Sequence, residues 1–150
     1  MELKEYIAEQ QIVFCSASSK NEVLGELSSV MSEATGFDND KMLTAILSRE
    51  KLMSTGMGQG LAIPHVRLRG LKRAAMAVGL CPRGISDYES LDNEPVYIVV
   101  LIAAPEGQHE IYIRFLAEVV DVLKRPDLRR RIIAAEEPSE IYRILTGSKK

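Results

Sequence analysis

The run from Ser48 to His65 concentrates groups able to bind and move an anion such as phosphate. Arg49 supplies a permanent cation, and Ser54 and Thr55 supply hydroxyls. Gly56, Gly58 and Gly60 let the backbone take positive φ and bring its N–H groups close to oxygen. The run ends Leu61-Ala62-Ile63-Pro64-His65, which delivers one of only two histidines just past a proline. An imidazole with an unperturbed pKa of ~6.5 is mostly neutral near pH 7, so it can attack phosphorus and later release it. The implied site is a nucleophilic histidine beside an oxyanion cradle.

The second histidine has its own setting. Ala103-Ala104-Pro105-Glu106-Gly107-Gln108-His109 reads as the end of an apolar strand, a short loop and the opening of a helix. A helix N-terminus attracts anions through its unpaired N–H groups and its dipole.

These two segments together resemble the active-site signature of the type-2 (fructose, mannitol and nitrogen-regulatory) enzyme IIA domains of the bacterial phosphotransferase system. The landmarks are Arg49-Glu50, then Thr55-Gly56-x-Gly58-x-Gly60-x-Ala62-Ile63-Pro64-His65, then the helix-opening His109. The resemblance implies that His65 attacks through Nε2. It would accept a phosphoryl group from the histidine-containing phosphocarrier protein and pass it to a cysteine of enzyme IIB for sugar uptake. In the nitrogen-type variant, the phosphorylation state of His65 would instead control binding to target proteins. His109 would orient the phosphoryl group and donate a hydrogen bond to it, and Arg49 would neutralise its charge. Ser54, Thr55, Gly56, Gly58 and Gly60 would bind its oxygens, and no cofactor is implied. One departure stands out: Val66 occupies a place where the family usually has a small residue, and a β-branched side chain there is expected either to narrow access to the ring or to alter partner preference.

Other chemistries are poorly supported. The glycine run lacks the Gly-Lys-Ser/Thr ending of a nucleotide loop. Two histidines without paired cysteines or a His-x-x-x-His helix do not make a zinc site, so no metal is expected. Cys81-Pro82-Arg83-Gly84 reads as a turn. Cys15 and Cys81 are too few and too widely spaced for a disulfide framework, which suits a reducing compartment.

A formal charge of −2 offers no general field for nucleic acid. Basic residues do cluster at Arg67, Arg69, Lys72 and Arg73 and again at Lys124 to Arg131, as solvated faces; the first cluster follows His65 and is placed to meet a phosphorylated or acidic partner. The N-terminal residues lack the apolar core of a signal peptide, and no apolar run approaches the ~20 residues of a membrane span. The chain is expected to be cytoplasmic, with any membrane contact made through a partner. At 150 residues with 46% apolar residues it suits one domain over positions 1–150.

The elements that position these groups follow from periodicity and capping. A short helical start leads to a strand over Gln11 to Cys15, and Ser19-x-x-Glu22 is a capping box opening a helix that Gly36 stops. Asp40 is read as the cap of the next helix, whose buried stripe is Met42, Leu43, Ile46 and Leu47 and whose end carries Arg49 and Glu50. Leu61 to Ile63 and Ala74 to Leu80 read as strands separated by a basic turn at Arg67 to Lys72, with Pro82-Arg83-Gly84 closing the second. Val96 to Ala103 has the continuous apolar character of a strand covered on both faces. His109 to Lys124 reads as a long helix with Ile111, Leu116, Val119 and Leu123 inward, and Asp127 and Pro138 open two short helices. The tail Ser148-Lys149-Lys150 is expected to fray. The alternation predicts an α/β sandwich, a mixed β-sheet with helices on both faces. Met53, Met57 and Leu61 are candidates for an apolar docking platform around His65.

Overall fold

The computed structural model describes residues 3–147, so the Ser148 to Lys150 tail lies outside the described residues. Six strands form one mixed sheet: β1 (Ile12–Phe14), β2 (Gly56–Gly58), β3 (Leu61–Ala62), β4 (His65–Leu68), β5 (Ala75–Ile85) and β6 (Val96–Pro105). β6 is the axis of the sheet. It pairs antiparallel with β5 on one side and parallel with β3 and then β4 on the other, while β1 extends the sheet beyond β5 and β2 folds back on β3. As its unbroken apolar sequence requires, β6 is buried on both faces, from Ile98 through Ala104.

Helices cover both faces, which confirms the expected sandwich. One layer is α1 (Lys20–Thr35) and α2 (Asn39–Leu52), whose Leu24, Leu27, Met31, Met42 and Ile46 pack on Ala77, Val99 and Leu101. The other is α3 (His109–Leu123), α4 (Pro126–Ile133) and α5 (Pro138–Thr146), which bury Phe115, Val119, Leu123, Ile132, Ile141 and Leu145 against Val78, Val100 and Ile102. Side chains alternate between the two layers along each strand, so one strand feeds both cores. Each buried aliphatic or aromatic side chain contributes roughly 1.5–3 kcal/mol.

The caps show how far local chemistry fixes the ends. Ser19 Oγ accepts the Glu22 N–H at 3.3 Å, and Gly36 closes α1 in the left-handed region with φ 78°. For α2 the cap is Asp38, whose carboxylate accepts the Lys41 N–H at 2.9 Å, and not Asp40, which lies in the first turn. Two other expectations are corrected. Arg67 and Leu68 are not part of a turn but close β4, because the β6 edge offers a ladder as far as Leu68 opposite Pro105. Pro82 to Gly84 do not end β5: the strand continues to Ile85 through a register shift after Leu80, where a residue without an N–H is tolerated. On α3, Ile111 faces solvent and Phe115 takes the inward position.

Candidate active site

His65 opens β4, the edge strand at the end of the β3–β4 line along β6. Pro64 separates β3 from β4, and its carbonyl accepts the Ile102 N–H at 2.9 Å, so the chain stays in register across the break. The odd positions Ile63 and Leu61 face the α3 layer, while Ala62, Val66 and Leu68 face the α2 layer. Val66 is buried in the core on the α2 side of β4 and also lines the concavity that holds His65.

The tautomer of His65 follows from its partner. Nδ1 lies 2.6 Å from the Ile63 carbonyl oxygen, which can only accept. Nδ1 therefore carries the proton and Nε2 carries a free lone pair. Burial holds the imidazole below its ordinary pKa, opposed by the Ile63 hydrogen bond and reinforced by the Arg49 charge. The neutral form of the ring is thus favoured, with the Nε2 lone pair not engaged by the Ile63 contact.

Around it is an open concavity of about 430 Å³ whose lining includes Ser48, Arg49, Val66, Arg67, Glu106 and Tyr112 with His65 itself. Arg49, near the end of α2, is anchored by donating to the Met53 carbonyl at 2.8 Å. Arg67, two residues beyond His65 on the same face of β4, lies over the Tyr112 ring at 5.5 Å, and that ring stands 5.9 Å from the His65 ring. Burial pushes the Tyr112 phenol up, against the pull of Arg67 and Arg49. Glu106 on the rim is engaged by Arg69 at 3.8 Å. Two guanidinium groups thus converge on a neutral histidine, an arrangement suited to a dianionic phosphoryl group.

His109 is exposed in the first turn of α3 and joins this group through Arg67, whose Nη1 donates to His109 Nδ1 at 3.3 Å. Since guanidinium has no acceptor, Nδ1 holds a lone pair and the ring proton sits on Nε2. His109 is therefore set to donate from Nε2, the complement of His65.

The expected phosphate-binding residues are placed differently. Thr55 is buried, with Oγ1 2.6 Å from Glu50 Oε2 and 2.8 Å from the Tyr88 hydroxyl, and its N–H also reaches Glu50. Glu50 is itself buried and paired with Lys20 at 3.1 Å. Ser54 Oγ donates to the Glu89 carbonyl at 2.6 Å and accepts the Gly56 N–H. Gly56 is required by close approach: a Cβ there would meet the Glu89 carbonyl oxygen at 2.1 Å. Gly58 and Gly60 flank Gln59 in a left-handed turn whose Gln59 N–H is bound by the Asp92 carboxylate at 2.8 Å. The glycine run does cradle an anion, but the anion is the chain's own Asp92. None of Thr55, Gly56, Gly58 or Gly60 lines the concavity around His65.

Sequence reasoning placed Arg67 only in a basic cluster and did not single out Tyr112. The spacing His65-x-Arg67 puts both on one strand face, and His109 with Tyr112 are three apart on one helix; their convergence needs the β4 strand that the basic-turn reading removed. Of the apolar platform, Leu61 is core, while Met53 and Met57 are exposed, as is Leu52.

Residues 5–148 match the family model described as phosphoenolpyruvate-dependent sugar phosphotransferase system, EIIA 2. The chain is 34% identical over 128 residues to a nitrogen regulatory protein of Bradyrhizobium diazoefficiens, covering 85% of this chain and 83% of that one. It is 35% identical over 136 residues to the PTS system fructose-specific EIIABC component of Bacillus subtilis; this covers 89% of the chain but only 21% of that protein, about a fifth of its length. Among solved structures, the nitrogen regulatory protein IIA-Ntr of Neisseria meningitidis superposes with a TM-score of 0.89 at 25% identity, over 95% and 97% of the two chains. The same fold is seen at 21% identity, with a TM-score of 0.77 over 94% and 97% of the chains, in enzyme IIAMTL of Escherichia coli in complex with phosphorylated enzyme IIBMTL.

Proposed function

The chain belongs to the EIIA 2 family of the phosphoenolpyruvate-dependent sugar phosphotransferase system, and we propose that it is a cytoplasmic phosphocarrier with His65 as its phosphorylated residue. The single observation that supports this most is the His65 ring: neutral, with Nδ1–H committed to the Ile63 carbonyl and Nε2 open to a concavity lined by two arginines.

In the first step the Nε2 lone pair attacks the phosphorus carried by the phosphohistidine of the histidine-containing phosphocarrier protein. The Nε2–P bond forms as the donor's N–P bond breaks, and the lone pair returns to the donor ring. The Ile63 carbonyl holds the Nδ1 proton throughout, and Arg49 and Arg67 offset the charge on the equatorial oxygens. His109, held by Arg67, donates Nε2–H to one of those oxygens. In the second step a cysteine thiolate of enzyme IIB attacks the same phosphorus and the Nε2–P bond breaks. Ser54, Thr55 and the glycines serve this site indirectly, by fixing the loop behind Arg49.

A second reading is supported by the likeness, over most of both chains, to nitrogen regulatory proteins. There the phosphoryl group on His65 adds about 1.5–2 negative charges at the concavity and changes which target protein docks. Incubating the chain with the general phosphotransferase enzyme, the carrier protein and labelled phosphoenolpyruvate, then adding enzyme IIB domains from the same cell, separates the two. Label passing to an IIB cysteine supports sugar transport; a stable phosphoprotein with no IIB acceptor supports regulation. No label on His65 overturns both.

A further inference from the structure

The two cysteines, remote in sequence, are neighbours in the fold. β1 runs parallel to β5 with Phe14 opposite Leu80, and the Cys15 N–H continues the ladder by donating to the Leu80 carbonyl at 2.9 Å. That step sets Cys15 beside Cys81. Adjacent strands lie about 4.8 Å apart, inside the Cα window of about 4.4–6.8 Å that a disulfide spans. Both side chains face the α1 layer.

Room for the sulfur is provided by Gly79. A Cβ at that position would lie 2.7 Å from Cys15 Sγ, so any other residue would push the thiol out of its place over β5. Both residues are free thiols; Cys15 is half-buried, Cys81 is buried, and both border a surface concavity of about 250 Å³ that also includes Ser16, Pro82 and Arg83. The concavity borders the stretch of β5 between Leu80 and Ile85 where its register with β6 shifts. The two thiols perturb each other: Cys81 and burial push the Cys15 thiol up, while Cys15 pulls the Cys81 thiol down.

We propose that Cys15 and Cys81 form a reversible dithiol/disulfide site, oxidised by small hydroperoxides that enter this concavity. In the first step one sulfur, as thiolate, attacks a peroxide oxygen; the O–O bond breaks, and the leaving oxygen takes the thiol proton and departs as water or alcohol. The resulting sulfenic acid is attacked by the second sulfur, the S–S bond forms, and the hydroxyl leaves with the second thiol proton as water. Two thiols lose two electrons and the peroxide gains them. A thiol reductant restores the dithiol by exchange. Such a site suits a reducing compartment, where disulfides are transient and redox-sensing.

The test uses the full native chain treated with hydrogen peroxide, read by intact mass, thiol count and peptide mapping. The expected result is simultaneous loss of both thiols and appearance of one peptide linking the Cys15 and Cys81 segments. That link should form at the same rate on dilution of the protein, disappear on adding dithiothreitol and be absent in Cys15→Ser. Oxygen added to methionines leaves the linked peptide as the readout. Both thiols surviving, either cysteine passing to sulfinic acid without a link, or linkage only between chains would overturn the proposal.

Discussion

Thr55→Val separates a loop-holding role from a phosphate-binding one. Valine keeps the shape of threonine and removes only the hydroxyl. Glu50 can only accept, so Thr55 Oγ1 donates to it across 2.6 Å, and the Tyr88 O–H in turn donates to Thr55 Oγ1 at 2.8 Å. The substitution deletes a charge-assisted hydrogen bond, about 1.5–3 kcal/mol, and leaves the buried Tyr88 hydroxyl unpaired, about 1–3 kcal/mol. Glu50 keeps Lys20 and the Thr55 N–H, so partial relaxation leaves a loss of roughly 3 kcal/mol. For a chain of this size that is a fall of roughly 6–12 °C in Tm. Tyr88→Phe, which leaves the Thr55 to Glu50 bond in place, should cost only about 1 kcal/mol. Urea and thermal unfolding followed by circular dichroism measure both, with phosphorylation assayed well below the melt, where Thr55→Val should remain competent. Full stability combined with lost phosphorylation would refute the reasoning and return the hydroxyl to the phosphoryl group.

His109→Ala should still accept the phosphoryl group but exchange it more slowly in both directions, by the equivalent of about 1.5–3 kcal/mol for a charge-assisted hydrogen bond; rapid-quench kinetics check this, and unchanged rates remove His109 from the site. The His65 ring should titrate below the ordinary imidazole value in an NMR pH series, because burial and Arg49 disfavour its charged form. On acidification the unfolded chain then takes up that proton before the folded one, so this group withdraws stability as pH falls through the ordinary imidazole pKa, and His65→Gln should flatten that part of the stability profile. Met57→Glu places a charge on the exposed side chain at the centre of β2; it should shift stability by less than about 0.5 kcal/mol while slowing exchange with the carrier protein, and an unchanged exchange rate would move the docking face elsewhere.

What was legible in the sequence was mainly what local chemistry decides. The Ser19 capping box, the Gly36 stop, the apolar β6 and the histidine after Pro64 carry their signals within a few residues, and the sandwich follows from their alternation. Where neighbouring residues offered equal local choices, tertiary contacts decided. Asp38 and Asp40 are both good caps, and only the former has its carboxylate on the Lys41 N–H. His65 to Leu68 is too short and too basic to read as a strand, yet β6 supplies the ladder that makes it one. The glycine run signalled an anion cradle, and its occupant, Asp92, lies 33 residues away from Gln59. Arg67, Tyr112 and His109 meet only because β4 and the start of α3 come together at one end of the sheet.

The central claim is that His65 Nε2 is the phosphoryl acceptor, and the most direct measurement is phosphorus and nitrogen NMR of the chain after reaction with the phosphorylated carrier protein. The account predicts a single phosphoramidate, stable in base and labile in acid, with phosphorus coupled to Nε2 of His65 and the proton retained on Nδ1, and no such signal in His65→Ala. Phosphate on Nδ1, on His109 or on any side chain of the His65→Ala variant would contradict it.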